Sequence, residues 1–461
     1  MTRLLVIIAI LFSPPVFSAT WFVATDGLDS NSGTGNAPFA TIMRAQSAAA
    51  AGDTVYLRGG TYHLDNSNLT STNNPWAIVN NINKSGVSYI AYAGGRPVFD
   101  FSSVKPGGHR VTAFLVTASH CVFKGFDVAG VQVTIAGAHT QSENFRIAGG
   151  SFNRFEELRM HDGMGNGWYL TDGASNLVLN CDAYNNCGLD GGSLGNTDGF
   201  GCHPSRASGK GNLFIGCRAW FNSDDGYDCI NAWAPVTFSN CWAFHNGYFT
   251  NFASSTGDGN GFKAGGYGKT GKAMPDPVPR HVVEFCLAVR NRANGFYANH
   301  HGGGINWFNN TALRNATDYN MICVSSDNRT DIPGFDQVMK NNLGFMANKT
   351  EVANLGVSNA VTFNFFTLPV MVTSNDFVSL DERLLMAPRQ ANGDLPHTAF
   401  AQLAGGSDLV DAGTNIGFAC VGAAPDLGAF EHGLKATGGD GLQGGTNYPA
   451  TTTNLALPHL Q

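Results

Sequence analysis

The heptapeptide NCDAYNN at residues 180–186 is followed along the chain by four related segments. They read GCRAWFN at 216–222, NCWAFHN at 240–246, FCLAVRN at 285–291 and NNTALRN at 309–315. All five copies have alanine fourth, an apolar or aromatic residue fifth and asparagine seventh, and the first four copies have cysteine second. Successive copies begin 36, 24, 45 and 24 residues apart. This spacing indicates a solenoid whose basic unit is about 24 residues, with insertions.

The repeat predicts an all-β parallel β-helix. Short apolar segments between Gly and Asn corners favour strands over helices. Equivalent positions then stack about 4.8 Å apart from coil to coil, so a corner asparagine can donate its side-chain amide to the next coil. The repeated cysteines are expected to form a buried ladder of thiols, because free cysteine behaves as a small hydrophobic residue, although the stacking distance alone would permit disulfides. These residues are Cys181, Cys217, Cys241 and Cys286.

The two ends of the chain differ from this repeat. Residues 1–19, MTRLLVIIAILFSPPVFSA, have one arginine, an apolar run and small residues at the end, which predicts a signal peptide and an exported, soluble mature protein. The segment from Thr41 to Ala51 predicts a helix, ended by Gly52, that caps the first coil. We expect one β-helix domain over residues 20–436 and an irregular tail over 437–461.

Composition limits the possible partners. Hydrophobic residues make up 43% of the chain, which excludes disordered, collagen-like and coiled-coil proteins. Charged residues make up only 13%, against about 25% in an average globular protein. The net charge of −7, without a cluster of basic residues, argues against a nucleic-acid partner. No segment after the leader is long and apolar enough to span a bilayer, so we expect no membrane partner. We also expect the protein to be a monomer.

A second repeated signature carries the candidate chemistry. It reads DGF from Asp198, DGY from Asp225, NGF from Asn260 and NGF from Asn294, with spacings of 27, 35 and 34 residues. If these tripeptides occupy equivalent positions, their first residues form one column along the solenoid. Three residues further on, a parallel column contains Gly201, Asp228, Lys263 and Tyr297.

This register predicts a cation site. Asp198 would lie beside Asp225, with Asp224 and Asp228 on the same coil in the run NSDDGYD, and Lys263 would lie one coil further on. Four carboxylates within about 5 to 10 Å of one another are costly without a cation, and an irregular all-oxygen site favours Ca²⁺ over Mg²⁺. The competing interpretation is that DG pairs only form turns and that Lys263 is a surface lysine.

The chain resembles the family-nine polysaccharide lyases, a group that includes pectate lyases and is built on a right-handed parallel β-helix. The matching segments are DGF at 198–200, GCRAWFNSDDGYD at 216–228, NCWAFHNG at 240–247, GNGFKAGG at 259–266 and GFYANHHGGG at 295–304, with flanking matches near both ends of the mature chain. The resemblance implies calcium ligands at Asp198, Asp224, Asp225 and Asp228, and a catalytic base at Lys263. The chain departs from the family pattern at Tyr227, at Cys229 and in the proline-rich stretch 273–280. These departures leave the identity of the substrate polymer undecided.

The resemblance implies β-elimination on an anionic polysaccharide, most simply pectate. Calcium would stabilise the charge that develops as Lys263 removes the proton on carbon five of a uronate. Three alternatives remain: the same reaction on rhamnogalacturonan or a glucuronate-containing glycan, a glycoside hydrolase using two of the aspartates, and a carbohydrate-binding solenoid without activity. Weaker candidates for the site are His300 and His301, and for gripping substrate carboxylates Arg290 and Arg314.

Overall fold

Three long sheets wind around one interior in a computed structural model that describes residues 18–135, 137, 141–188 and 195–433. Nearly all strand pairs are parallel, and most successive strands of the chain fall in different sheets, as in a parallel β-helix. The expected all-β solenoid is therefore confirmed. Most of the predicted leader, residues 1–17, and the predicted tail 437–461 lie outside the described residues.

The strands fall into three sheets and one small hairpin. Sheet 1 contains β1 (Thr20–Val23), β2 (Thr54–Leu57), β6 (Ser88–Ala91), β9 (Val122–Lys124), β12 (Arg154–Glu156), β15 (Leu177–Leu179), β18 (Asn212–Ile215), β21 (Val236–Ser239), β24 (Val282–Glu284), β27 (Asn306–Phe308), β32 (Val338–Lys340) and β35 (Ala360–Thr362). Sheet 2 contains β3 (Gly60–Asp65), β7 (Pro97–Ser103), β10 (Asp127–Ala129), β13 (Arg159–His161), β16 (Asp182–Tyr184), β19 (Arg218–Trp220), β22 (Trp242–Phe244), β25 (Leu287–Val289), β28 (Thr311–Leu313) and β33 (Leu343–Phe345). Sheet 3 contains β4 (Ser71–Asn73), β5 (Trp76–Ile82), β8 (Arg110–Val116), β11 (Ser142–Ala148), β14 (Gly165–Asp172), β17 (Phe200–Cys202), β20 (Tyr227–Asp228), β23 (Phe262–Lys263), β26 (Asn294–Tyr297), β29 (Thr317–Asn320) and β34 (Thr350–Ala353). The hairpin pairs β30 (Cys323–Val324) with β31 (Asp331–Ile332).

The heptapeptide repeat forms consecutive strands of sheet 2 in the predicted register. Its alanines pair from strand to strand, for example Ala219 with Ala243 and Ala243 with Ala288. The asparagines at position seven form a ladder in which each side-chain amide donates to the side-chain oxygen of the next asparagine at 3.0–3.2 Å, and the last one, Asn315, donates to Asp318 Oδ1 at 2.8 Å. This ladder satisfies polar groups that would otherwise be buried without partners. The repeated cysteines are buried free thiols, as expected.

An aromatic stack inside sheet 3 fixes the register of the strands that carry the site. Tyr227 lies 4.6 Å from Phe262 between ring centroids, and Phe262 lies 5.2 Å from Phe296. These side chains are fully buried. Because side chains alternate between the two faces of a strand, their neighbours Asp228, Lys263 and Tyr297 face outward. Tyr227, a departure from the family pattern, therefore belongs to the core.

The capping helix α1 (Ile42–Ala48) is shorter than predicted. It begins after Thr41, whose hydroxyl accepts from the Arg44 backbone N–H, and it packs over the first coil through Ile42 and Ala45. The predicted extension to Ala51 was wrong, because Ala49 is already extended and the Asp53 carboxylate accepts the Ala50 N–H at 2.8 Å. This side-chain contact competes with continuation of the helix.

Residues 363–433 cover the outer face of sheet 2. Phe377, Leu385 and Leu403 of this segment join a buried cluster with Trp242 and Leu287. Two short 3₁₀ helices within it span Ser374–Asp376 and Glu382–Met386, and a third spans Asn66–Asn68 near the first coils. Sheet 2 is therefore closed to ligands in this region. Among the described residues, none of the helices could cross a membrane.

Candidate active site

The first predicted column forms on sheet 3 as a ladder of hydrogen bonds. The Asp225 backbone N–H donates to Asp198 Oδ1 at 3.1 Å, and the Asn260 N–H donates to Asp225 Oδ1 at 2.7 Å. The Asn294 N–H continues the ladder to Asn260 Oδ1 at 3.2 Å. The four residues that begin the DGF, DGY and NGF segments are therefore adjacent, as predicted.

The second predicted column also forms. Gly201 pairs with Asp228, Asp228 with Lys263 and Lys263 with Tyr297 in adjacent parallel strands. A Cβ atom at Gly201 would come within 2.7 Å of both the His203 and Tyr169 side chains. The glycine therefore leaves room for these two rings next to Asp228.

Lys263 is held among carboxylates. Its Nζ lies 3.0 Å from Asp225 Oδ2, 3.2 Å from Asp228 Oδ2 and 3.6 Å from Asp258 Oδ2. The Asp225 contact is an ion pair rather than an aligned hydrogen bond. Lys263 is 8% exposed and Asp225 is fully buried, whereas the Asp258 side chain is 68% exposed. The amine thus sits at the boundary between a buried acidic cluster and the solvent.

The aspartates form two overlapping groups. Oxygens of Asp198, Asp225 and Asp228 lie within 4.8 Å of one another, and all three residues are buried. Oxygens of Asp224, Asp225 and Asp258 form the second group within the same limit. The four predicted ligands are therefore neighbours, but Asp224 is grouped with Asp225 and Asp258 rather than with Asp198.

Burial and like charge shift the proton equilibria of this cluster. Burial, followed by the charges of Asp224, Asp228 and Asp225, raises the pKa of Asp198 well above its usual value. Burial likewise raises the pKa of Asp224, and it raises that of Asp225 to about 6 even though Lys263 lowers it. Burial alone would lower the pKa of Lys263, but the surrounding aspartates raise it well above its ordinary value. Ionised carboxylates are therefore costly here without a further cation.

The donor set fits a hard divalent cation. It consists of carboxylate oxygens only, and three of them converge within 4.8 Å from buried residues. Hard cations such as Ca²⁺ bind oxygen ligands and tolerate irregular coordination. Asp198, Asp225 and Asp228 would hold the ion, and Asp224 would lie beside it.

The cluster opens into a cleft of about 530 Å³. Its walls include Tyr169, His203, Asp228, Asp258 and Lys263. His203 Nδ1 donates to the Ile230 carbonyl at 2.6 Å, and burial lowers the pKa of its ring. The cleft therefore combines acidic, neutral polar and aromatic groups around one amine.

Sequence reasoning missed Asp258 and His203. Asp258 precedes the NGF segment in the run GDGNGF, and its backbone N–H donates to Asp224 Oδ1. His203 follows the DGF segment in the run DGFGCHP. Their closeness in sequence to column residues was the available signal, but both lie in turns whose path the spacing does not define.

The weaker candidates separate into different regions. Tyr297 Oη is 2.9 Å from His300 Nε2, so His300 lies beside the second column, whereas His301 is fully buried and bonded to the Pro279 carbonyl. Arg290 and Arg314 both pair with Glu382 of the segment that covers sheet 2. Neither arginine contributes to the cleft.

Comparisons with known proteins agree with this geometry. Residues 21–357 match the family described as "Pel9A-like, right handed beta helix region". Pectate lyase L of Dickeya dadantii (strain 3937) is 36% identical over 426 residues, covering 89% of this chain and 90% of that protein. A solved rhamnogalacturonan lyase is 44% identical with a TM-score of 0.81, covering 84% of this chain and 97% of the other. Pectate lyase Pel9A is 30% identical with a TM-score of 0.72, covering 90% of this chain and 96% of the other.

These matches confirm the resemblance drawn from the sequence and the right-handed form of the β-helix. They favour a lyase over the glycoside hydrolase and the non-catalytic solenoid. The chain belongs to the Pel9A-like family of right-handed β-helix proteins and is a polysaccharide lyase of the family-nine pectate lyase type.

Proposed function

We propose that this lyase cleaves a galacturonate-containing polymer by calcium-assisted β-elimination, with Lys263 as the base. The observation that carries the proposal is the position of Lys263 Nζ, 3.0 Å from Asp225 and 3.2 Å from Asp228, at the edge of a cleft. An amine that must accept a proton beside a substrate carboxylate needs this kind of placement, within reach of both the sugar and a bound cation.

In the proposed reaction, the aspartates and Lys263 have different roles. When bound, calcium supplies positive charge that stabilises the developing charge on the substrate carboxylate. Asp198, Asp225 and Asp228 would orient that carboxylate by holding the ion. Lys263 would take the proton from carbon five, and the electron pair left on that carbon would form a double bond between carbons four and five. The bond from carbon four to the glycosidic oxygen would break with its electron pair on that oxygen, which takes a proton from the solvent. Because Lys263 must be neutral to act, we expect an alkaline optimum.

Two substrates are candidates. The sequence resemblance favours polygalacturonate, and pectate lyase L of Dickeya dadantii supports it at 36% identity. The higher identity of 44% to a rhamnogalacturonan lyase favours rhamnogalacturonan as the second candidate. Both polymers contain galacturonate, so the same site chemistry serves either one.

The reaction class and the substrate can be tested together. Purified protein with calcium should release products that absorb ultraviolet light from one of the two polymers, because elimination creates a double bond conjugated to the carboxylate. New reducing ends without ultraviolet absorbance would instead indicate hydrolysis and contradict the proposal. The polymer with the larger kcat/KM identifies the preferred substrate.

A second prediction concerns stability without metal. The folded-state pKa of Asp225 is about 6, above the ordinary 3.8, so ionisation of this residue destabilises the folded state. The free energy of unfolding of the chelated protein should therefore fall as pH rises through this interval and remain lower above it. Lys263 has a raised pKa and stays protonated over this range, so it does not change the sign.

Thermal unfolding with excess chelator, from about pH 4 to about pH 8, checks this prediction. Calcium should raise the melting temperature more at the upper end than at the lower end, because the ionised carboxylates bind it. The Asp225→Asn variant removes one titrating group and serves as the matched control. A melting temperature that stays constant with pH in chelator would contradict the prediction.

The same proposal includes the cellular location and the oligomeric state of the protein. The leader-like residues 1–19 support export, to the periplasm or the outside of the cell, and an anionic polysaccharide is the expected partner. We propose that the protein acts as a monomer, without nucleic-acid or membrane partners. Secretion of the full chain from a bacterial host, with cleavage after Ala19, is the test of export.

A further inference from the structure

The outer face of sheet 3 carries a group of side chains that the proposed reaction does not use. Tyr297 is the register partner of Lys263 on the next coil. Phe262 and Phe296 point inward and stack, so Lys263 and Tyr297 share the outward face. Neighbouring coils are about 4.8 Å apart, which places the phenol next to the amine along the solenoid axis.

The Tyr297 hydroxyl is held by a chain of contacts, here called the Tyr297–His300–Asp331 array. Tyr297 Oη lies 2.9 Å from His300 Nε2, and His300 Nδ1 lies 2.7 Å from Asp331 Oδ1. The second contact is close but too oblique for a hydrogen bond from Nδ1. Lys269 Nζ completes the array at 2.8 Å from the other oxygen of Asp331.

The turn after β26 carries His300 and places its ring beside Tyr297. Asn299 and His300 have φ values of 52° and 56°, in the left-handed region, where asparagine and histidine are enriched among residues other than glycine. The Asn299 side chain donates to the Gly265 carbonyl at 2.6 Å, and the His300 N–H donates to the Ile322 carbonyl at 3.1 Å. These two hydrogen bonds fix the path of the turn that carries His300.

The array also sets the hydrogen-bonding role of the Tyr297 hydroxyl, which lies one coil from Lys263 on the outward face of sheet 3. Burial raises the pKa of Tyr297 to about 12 and lowers that of His300, so both are neutral at neutral pH. The Asp331 carboxylate favours the proton on Nδ1, which leaves Nε2 to accept from the Tyr297 hydroxyl. The tyrosine oxygen then presents lone pairs outward. The one cation of the array, Lys269, is paired with Asp331 and is not left to bind a carboxylate of the substrate. The array therefore suits a sugar hydroxyl better than the carboxylate of a further sugar.

We propose that Tyr297 contacts the sugar adjacent to the one that Lys263 deprotonates and accepts a hydrogen bond from one of its hydroxyls, while His300 and Asp331 are positioning residues that act through Tyr297. The proposal rests on the proposed function, because it takes Lys263 as the base. It adds a contact for an uncharged part of the polymer beside the carboxylate-binding centre.

Tyr297→Phe is the direct test, because it removes the hydroxyl and keeps the ring. We expect kcat/KM on the preferred polymer, polygalacturonate or rhamnogalacturonan, to fall about tenfold, the effect of one hydrogen bond near 1.4 kcal/mol. Tyr184→Phe is the matched control, since Tyr184 lies on sheet 2 and stacks on Trp220 at 4.3 Å. The control should keep the wild-type kinetics.

A double-variant cycle tests the positioning role. His300→Ala should lower kcat/KM about as much as Tyr297→Phe, and the two changes together should cost no more than either alone, because they remove one shared interaction. His300→Gln offers an acceptor to the tyrosine and should restore part of the loss. Additive losses, or a glutamine variant no better than alanine, would overturn the positioning role.

The outcomes separate this inference from the function on which it rests. A wild-type protein that forms no unsaturated product from either polymer contradicts the proposed function. An active wild type with an unchanged Tyr297→Phe variant overturns only the inference. Melting temperatures are recorded for every variant, and a large fall in the melting temperature of Tyr297→Phe with unchanged kcat/KM would assign the array a structural role instead.

Discussion

Replacing Lys263 with alanine should lower the rate of unsaturated product formation at least ~100-fold at saturating calcium, the range typical of a lost general base. No other lysine or arginine among the described residues lines the cleft. The fold should persist, because the strand is anchored by the buried Phe262 next to Lys263. Initial rates by ultraviolet absorbance and thermal unfolding of the calcium-loaded protein measure the two effects.

Lys263→Arg separates a base from a simple positive charge. Arginine keeps the charge beside Asp225 and Asp228 but does not lose its proton at accessible pH. We therefore expect the arginine variant to be about as inactive as the alanine variant. Lys272→Ala is the matched control, because Lys272 is exposed in the turn that follows β23. Near-normal rates for Lys263→Ala would require another base.

The columns on sheet 3 were predictable because, in a solenoid, residues at equivalent positions of successive repeats lie next to each other on adjacent coils. DGF and NGF recur at each coil, so aligning the tripeptides placed Asp228 next to Lys263 without any structural information. The same logic predicted the asparagine ladder of sheet 2. In both cases, recognising the short repeated motif was enough to predict the contact, since each residue lies beside the equivalent residue of the next coil.

Turn geometry limited the rest of the prediction. Asp258 reaches Lys263 from a Gly-rich turn, and glycine permits too many backbone paths for spacing to define one. The end of α1 was misplaced because the Asp53 side chain, rather than Gly52, stops the helix. Arg290 shares a repeat position with Arg314, but the covering segment supplies Glu382 to both, a contact between distant parts of the chain.

Removal of calcium should abolish turnover, and this is the second large effect expected. Without a divalent ion, Lys263 remains paired with Asp225 and Asp228, which raise its pKa and keep it protonated. The substrate carboxylate would also meet an uncompensated acidic cluster. Excess chelator should reduce the rate to background, and added calcium should restore it. Full activity in excess chelator would refute the metal role.

Substitutions of single aspartates should show which of the two groups holds the ion. Asp225 belongs to both, so Asp225→Asn should weaken calcium binding most, as measured by calorimetry independently of activity. If the ion lies among the buried Asp198, Asp225 and Asp228, Asp198→Asn should also weaken binding strongly, while Asp258→Asn, at an exposed position, should have a small effect. The reverse order would place the ion between Asp224 and Asp258, nearer the solvent.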